Sequence, residues 1–277
     1  MSERARVTLA APSAELSGVG LHSGAGASVR LLPAPAGTGL VFRGRSDGQE
    51  IPALAANVGS TSRCTRLKLG GFEVQTVEHV LSALSGLGID DAVIEIGGPE
   101  VPAADGSAVP FAALILAAGK REQAALVQPL RLTRPVFVSE NGSTLAALPS
   151  DHFSASVVLD YPKHSYLGTL AAIFDGRAGD YAAQIAPART FGFLSEIEAL
   201  RARGLGLGAS YDNALVLGET QYEMPLRFPN EPARHKLLDL IGDLALAGRP
   251  VCAEIVAVKP GHTVNVRLAR LLAEQIF

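Results

Sequence analysis

Apolar and polar positions alternate most regularly in the segment FPNEPARHKLLDLIGD, residues 228–243. At 3.6 residues per turn, this pattern predicts a helix with one apolar side and one polar side. The apolar side consists of Leu237, Leu238, Ile241, Leu244 and Ala245. His235, Asp239 and Asp243 lie on the polar side, and His235 and Asp239 are about one turn apart. The helix is therefore predicted to bury its apolar side in a core and to carry candidate functional side chains on its polar side.

A similar helix is predicted earlier in the chain, over residues 77–87. Thr76 is a suitable N-cap for it. Glu78 and His79 lie in its first turn, outside the apolar stripe, and are therefore predicted to point away from the core. Short β-like runs bounded by Gly, Pro and Ser surround it, at residues 6–9, 27–32, 40–42 and 92–96. A second helix is predicted over residues 110–118.

The second half of the chain repeats this order of elements. Three β-like runs come first, at residues 136–138, 144–147 and 156–159. A helix over residues 231–247, a strand over residues 251–258 and a final helix follow. The segments EHVLSALSGLGIDDAVIEI and RHKLLDLIGDLALAGRPVCAEI both run from a His at a helix start into a β-rich strand. Two similar halves are the natural interpretation.

We therefore predict an α+β fold of two similar domains, each a β-sheet packed with helices, which sandwich a cleft between them. The domains comprise residues 1–125 and 129–277, with the boundary in the polar stretch 119–128. Residues 188–217 have no counterpart in the first half and predict an inserted βα segment in the second domain. A helical pattern and a Gly-rich stretch lie within it, at residues 195–203 and 204–208.

The composition is that of a globular chain, since 48% of its 277 residues are apolar and 18% are charged. The formal charge of −3 and the lack of a Lys/Arg run argue against a nucleic-acid partner. No apolar run approaches the ~20 residues that a membrane helix needs, so we expect no stable membrane insertion. Cys64 and Cys252 are isolated, which is typical of a reducing compartment. We expect a cytoplasmic protein, and we expect a monomer.

His235 and Asp239 also suggest a metal site. An imidazole and a carboxylate at this spacing can hold two positions of a zinc ion, and a third protein ligand would leave the fourth position for water. Two isolated cysteines exclude a zinc site built of thiolates. The pattern alone leaves the third ligand open, and a His on a helix is more often an ordinary surface or hydrogen-bonded residue.

Several motifs occur in order and with suitable spacing from about Val7 to the end of the chain. They are SGVGLHSG (17–24), TVEHVLSALSGLGIDDAVIEI (76–96), PxxDGS (102–107), ARTFGF (188–193), RHKLLDLIGDL (234–244) and KPGH (259–262). In these motifs the chain resembles UDP-3-O-acyl-N-acetylglucosamine deacetylase. The resemblance implies a zinc-dependent hydrolase of a linear amide, which converts the N-acetyl group of its UDP-sugar substrate to a free amine and acetate. That reaction is the committed step of lipid A biosynthesis.

The resemblance also implies the third metal ligand. It assigns Zn²⁺ to His79, His235 and Asp239, one from the first half and two from the second. The metal would then lie in the cleft between the two repeats.

The same resemblance implies the catalytic roles. Glu78 corresponds to the general base and His262 to the general acid, Asp243 would hold the His262 ring, and the Thr190 hydroxyl would share the oxyanion with the metal. Each residue also has a structural interpretation. Glu78 could stabilise a helix N-terminus, Asp243 could solvate a helix face, and Thr190 could be an N-cap.

Substrate contacts follow from the resemblance as well. Lys236 and Lys259 are candidates for the anionic substrate, with Lys259 the better one for the diphosphate, although both could be solvated surface charges. The acyl chain would lie against a hydrophobic passage formed largely by the insert. Its candidate residues are Phe191, Ile197, Leu200, Leu205, Leu207, Ala214 and Val216. Further candidates for binding the substrate are Leu21, Phe193 and Ser210. The apolar ones could instead be plain core.

Two rival functions remain open from the sequence. One keeps the zinc site but acts on another N-acetyl amino-sugar. The other is a catalytically silent binding protein that keeps the fold, although such a protein needs neither an acid nor a base.

Overall fold

The computed structural model describes residues 4–164 and 166–274. The strands of the first half are β1 Arg4–Leu9, β2 Leu16–Val19, β3 Gly26–Pro33, β4 Leu40–Gly44, β5 Glu50–Pro52, β6 Val58–Ser60, β7 Arg66–Leu69, β8 Phe72–Val74, β9 Ala92–Gly97 and β10 Lys120–Val127. Its helices are α1 Glu78–Gly86 and α2 Val109–Ala118, and a 3₁₀ turn spans Ala55–Asn57.

The second half has strands β11 Leu130–Arg131, β12 Val136–Glu140, β13 Ser143–Pro149, β14 Ser154–Asp160, β15 Thr169–Asp175, β16 Phe191–Phe193, β17 Leu215–Leu217 and β18 Val251–Val258. Its helices are α3 Tyr181–Gln184, α4 Ile197–Ala202, α5 Glu231–Ala245 and α6 His262–Glu274, with a 3₁₀ turn at Leu194–Glu196. None of the described helices is long and apolar enough to cross a membrane.

The two halves share one sheet topology. The first sheet has the order β2-β3-β9-β4-β5 and the second the order β12-β13-β18-β14-β15, with the short β11 beside β18. In each sheet the last strand of the sequence lies in the centre, antiparallel to one neighbour and parallel to the other. The predicted α+β fold with two similar sheets is confirmed.

Helices α1 and α5 pack against each other over a core that continues from one half to the other. Their close approach depends on Gly242, because a Cβ at this position would lie 2.0 Å from the backbone oxygen of Glu78. A side chain there would push the helices apart. The predicted apolar face of α5 is buried, including Leu237, Leu238 and Ile241.

The predicted N-cap of α1 is wrong. The cap position is Val77, with no side-chain cap bond, and Thr76 has a positive φ of 57°. The Thr76 hydroxyl donates instead to the buried carboxylate of Glu100 at 2.7 Å. A distant acceptor has therefore displaced the local capping bond. Glu78 and His79 do lie off the apolar stripe, but they are buried.

The polar stretch before the second half is not an irregular connection. Residues Lys120–Val127 form β10, which pairs antiparallel with β1 and so belongs structurally with the first half. The division of the chain into two domains stays a prediction.

The insert is present as a βαβ segment. β16 and β17 pair in parallel, and the 3₁₀ turn and α4 lie between them. α4 lies within the predicted helical stretch, and the 3₁₀ turn begins one residue before it. Leu215 and Leu217 of the insert form a small separate core with Leu167.

Candidate active site

The first turn of α1 and the middle of α5 bring three side chains together. His79, His235 and Asp239 each present one ligand atom, and these atoms lie within 4.8 Å of one another. Asp239 Oδ1 is 3.6 Å from His79 Nε2 and 3.4 Å from His235 Nε2. All three side chains are buried. The three ligands implied by the resemblance therefore form one cluster.

The residues present fit a bound cation. Asp239 Oδ1 is buried and has no hydrogen-bond partner among the described residues, so it has an unused lone pair that faces two imidazoles. His235 Nδ1 lies 3.0 Å from the Ala188 carbonyl, which leaves Nε2 directed at the cluster. Two imidazoles and one carboxylate suit Zn²⁺ better than Mg²⁺ or Ca²⁺, which prefer oxygen ligands.

Burial also sets the charges of the cluster. It lowers the pKa of His235 to about 4, so the ring is in the neutral form that binds a metal. Burial alone would raise the pKa of Asp239, but His235 and Lys236 outweigh this and hold it well below its usual range. Lys236 Nζ lies 2.8 Å from Asp239 Oδ2 and 5.5 Å from the centre of the Phe191 ring.

A second pair of ionisable groups lies beside the cluster. His262 Nε2 is 3.7 Å from Glu78 Oε1, and His262 Nδ1 is 2.9 Å from Asp243 Oδ2. Burial raises the pKa of Glu78 to about 7. Burial would lower the pKa of His262, but the carboxylates of Asp243 and Glu78 outweigh it and raise this pKa to about 9. A base and an acid with these values can both act near neutral pH.

Two residues that hold this pair, Thr65 and Asn265, are not indicated by any sequence pattern. The Thr65 hydroxyl donates to Asp243 Oδ1 at 2.6 Å, and its backbone N–H donates to Glu78 Oε2 at 3.1 Å. Asn265 on α6 donates to Asp243 Oδ2 at 2.9 Å. Thr65 and Asp243 are 178 positions apart, so no periodic pattern could have connected them.

A cavity of about 820 Å³ opens from this cluster toward the insert. Of the predicted substrate residues, it is lined by Leu21, Phe191, Phe193, Ile197, Leu200, Ser210, Ala214, Val216 and Lys236, together with Thr190, Glu78, His79, His235, Asp239 and His262. The cavity is also lined by Arg63, Tyr161, Glu196 and Arg201, which no sequence motif indicated. A cluster of ionisable side chains and an apolar wall thus share one cavity.

Four predicted residues lie outside this lining. Asp243 is fully buried behind His262. Lys259 places its ammonium 3.3 Å from Asp160. Leu205 and Leu207 belong to the insert without lining the cavity, and Leu207 is exposed.

The start of the insert is fixed to both halves. Thr190 N–H donates to the Gly106 carbonyl at 2.7 Å, which joins ARTFGF to the DGS turn of the first half. Arg189 forms a buried ion pair with Glu231, the first residue of α5, at 2.8 Å. These bonds place Thr190 and Phe191 next to the helix that carries His235 and Asp239.

Comparisons with known proteins show which family this sequence resembles. A sequence model of the family described as UDP-3-O-acyl N-acetylglycosamine deacetylase matches residues 6–274. Proteins named UDP-3-O-acyl-N-acetylglucosamine deacetylase are similar to this chain in three organisms. The one from Myxococcus xanthus is 46% identical over 262 residues, 93% of this chain and 83% of that protein. The one from Saccharophagus degradans is 44% identical, over 90% of this chain and 84% of that protein. The one from Pseudomonas entomophila is 45% identical, over 93% of this chain and 87% of that protein.

Proposed function

This chain belongs to the UDP-3-O-acyl N-acetylglycosamine deacetylase family, and we propose that it is a zinc-dependent hydrolase of the N-acetyl group of UDP-3-O-acyl-N-acetylglucosamine. The products are the free amine and acetate, and the reaction belongs to lipid A biosynthesis. One observation carries the proposal. The His79, His235 and Asp239 cluster and the Glu78 and His262 pair open into one cavity with an apolar wall.

His79, His235 and Asp239 would hold the zinc ion, because their ligand atoms converge and Asp239 Oδ1 has no other partner among the described residues. A bound zinc ion supplies a Lewis acid for the acetamide carbonyl and lowers the pKa of a water molecule.

Glu78 acts as the general base and removes a proton from the attacking water. Its raised pKa of about 7 keeps it basic enough to accept a proton and still ionised in part at neutral pH. The backbone N–H of Thr65 donates a hydrogen bond to Glu78 Oε2. The other oxygen, Oε1, faces His262.

His262 acts as the general acid and delivers a proton to the departing amide nitrogen, which can leave only as an amine. Asp243 accepts a hydrogen bond from Nδ1 and favours the imidazolium form, so the proton to be delivered lies on Nε2. Asn265 and Thr65 fix Asp243 in turn.

The remaining predicted residues would bind the substrate. We propose that the Thr190 hydroxyl stabilises the oxyanion, because this residue lines the cavity beside the cluster. Lys236 lines the same cavity, and Lys259 stays a proposed contact for the diphosphate, from outside the lining. The apolar residues of the insert would take the acyl chain. Buried cysteines without a disulfide, Cys64 and Cys252, support a cytoplasmic location.

Glu78→Gln tests the proposal, because it removes the base without changing the size of the side chain. We expect stoichiometric zinc, measured by atomic absorption, and a loss of about 10²-fold or more in kcat for acetate release. Glu95→Gln is a matched control, because this carboxylate lies on β9 away from the cavity lining. Near-normal turnover of Glu78→Gln would remove Glu78 from the mechanism.

A second assay tests the substrate. UDP-N-acetylglucosamine with and without the 3-O-acyl chain is compared in the same acetate-release assay. We expect the acylated compound to react far faster. Equal rates would indicate another amino-sugar, and no acetate release from either compound by the zinc-loaded protein would indicate a binding protein.

A further inference from the structure

Glu100 is a buried carboxylate that takes no part in the proposed chemistry. It is 0% exposed, and among the described residues it forms no ion pair with a Lys or Arg. Its oxygens accept hydrogen bonds from His22 N–H at 3.0 and 3.2 Å, Ser23 N–H at 2.8 Å and the Thr76 hydroxyl at 2.7 Å. A buried ionised group is costly, and the hydrogen bonds to Glu100 offset this cost without a Lys or Arg partner among the described residues.

These hydrogen bonds join two segments that lie far apart in the sequence. Thr76 immediately precedes Val77 and the first turn of α1, which carries Glu78 and His79. His22 and Ser23 belong to the turn of residues 20–24. The fit is close, because a Cβ on Gly20 would lie 2.2 Å from Glu100 Oε2.

The insert is hydrogen-bonded to the same turn. Leu207 N–H donates to the His22 carbonyl and Gly208 N–H to the Leu21 carbonyl, both at 3.1 Å. A Cβ on Gly208 would lie 2.2 Å from the Gly20 carbonyl oxygen, so the two backbones are in direct contact. Leu21 lines the cavity together with Gly206 and Ala209 of the insert. The position of the turn therefore determines where this part of the apolar wall stands.

The chemistry of the proposed substrate makes that position important. The 3-O-acyl chain begins one carbon from the carbon that carries the acetamide. An acetamide at the metal cluster therefore starts the chain close to it, and the distance from the cluster to the wall limits which chains fit. Glu100 connects the wall to the residue that leads into the metal-binding helix.

We propose that Glu100 is a positioning residue that sets the acyl-chain length accepted by the cavity, by holding the turn of residues 20–24 in register with the N-terminus of α1. This inference rests on the proposed function for its substrate. It assigns no contact between Glu100 and the substrate, because the effect acts through Leu21, His22 and the insert.

Glu100→Gln tests this inference. The amide keeps the shape of the side chain, but its NH₂ group replaces one oxygen acceptor. This donor then faces the N–H or O–H donor that the oxygen had accepted from, and that hydrogen bond is lost. We expect the zinc content to be unchanged and kcat on the preferred chain to stay within about threefold. KM should rise about tenfold, and the ratio of kcat/KM between the preferred chain and one four carbons longer should fall by about tenfold.

Asp91→Asn is the matched control. Asp91 is also a fully buried carboxylate of the first half, but it pairs with Arg6 and accepts from Gly39 N–H outside the cavity lining. We expect this variant to lose thermal stability and to keep the chain-length ratio. Thr76→Val supplies a second variant in case Glu100→Gln does not fold. It removes one donor to Glu100 and should lower the ratio about threefold, whereas Thr76→Ser should keep it.

A binding measurement separates this inference from the proposed function. Free fatty acids of ten to sixteen carbons are titrated into the zinc-loaded protein by calorimetry, without any turnover. Wild type should discriminate between lengths, and Glu100→Gln should flatten the series. If wild type releases no acetate, the proposed function fails while the fatty-acid series still decides the role of Glu100. An unchanged length profile in Glu100→Gln, or an equal loss at every length, would overturn the inference.

Discussion

The cluster of His79, His235 and Asp239 and the apolar wall that the insert forms on the same cavity are built in opposite ways. His79, His235 and Asp239 are buried side chains on two packed helices, α1 and α5, whose approach is fixed by a glycine. The insert that faces them consists of three-residue strands, a six-residue helix and a Gly-rich loop, and it is held by a few long-range hydrogen bonds. Under the proposed function, the chemistry, which depends on sub-ångström geometry, would lie on the packed helices, and recognition of the flexible acyl chain would lie on the irregular segment.

This contrast predicts that changes in the cluster abolish turnover, whereas changes in the insert alter substrate preference. His235→Ala should give the largest effect. It removes one of the proposed ligands, so zinc content measured by atomic absorption should fall, and activity should fall roughly 10³-fold because the metal supplies several kcal/mol of transition-state stabilisation. His152→Ala, at a histidine outside the cavity lining, should retain both. Full zinc retention in His235→Ala would mean that the ligand set is wrong.

Gly242→Ala should give the next largest effect, although Gly242 contacts no substrate. The added methyl group would meet the Glu78 carbonyl and force α1 and α5 apart. A shift of about 1 Å in catalytic groups costs on the order of 10²-fold in kcat, and overpacking should lower the free energy of unfolding by about 1–3 kcal/mol.

Gly26→Ala is the control for that substitution, because a Cβ there would meet nothing within 4 Å. Both variants are compared by acetate release and by denaturant unfolding. Unchanged kcat in Gly242→Ala would mean that the helix separation does not set the geometry of the cluster.

Asp243→Asn should change the pH dependence of activity. His262 must be protonated to act as an acid, so activity is lost as the pH rises through its pKa of about 9. Asp243 is the main group that raises this pKa against the effect of burial, and its neutralisation should lower it. The alkaline limb of kcat/KM should therefore move to lower pH, with a loss on the order of tenfold to a hundredfold at the wild-type optimum.

Asp212→Asn, at an exposed carboxylate of the insert, should leave that limb in place. An alkaline limb at the same pH in Asp243→Asn would show that Asp243 does not act through His262.

The same contrast explains how much of the molecule could be predicted from the sequence. The period of α5 placed His235 and Asp239 on one polar face, and the repeated order of strands and helices predicted both sheets. Thr76, Thr65 and Glu100 could not be placed, because their hydrogen bonds join segments that are distant in the sequence. Local periodicity reports helices and strands, but it contains no information about such tethers.

The insert should give the smallest effect on catalysis and the clearest one on the acyl chain. Leu200 on α4 is half-buried and lines the cavity. Leu200→Ala removes part of the apolar wall, so KM for the acylated substrate should rise about fivefold to tenfold, while kcat and zinc content stay the same. KM for UDP-N-acetylglucosamine without the chain should not change.

Leu194→Ala is the matched control for Leu200→Ala, because Leu194 belongs to the same insert but is exposed and outside the lining. Its KM should equal that of wild type for both substrates. An equal rise in KM for the acylated and unacylated compounds in Leu200→Ala would place the residue against the nucleotide or the sugar. In that case the insert would also bind the part of the substrate that carries the reacting acetamide, and the division between an insert that binds the acyl chain and helices that carry the chemistry would not hold.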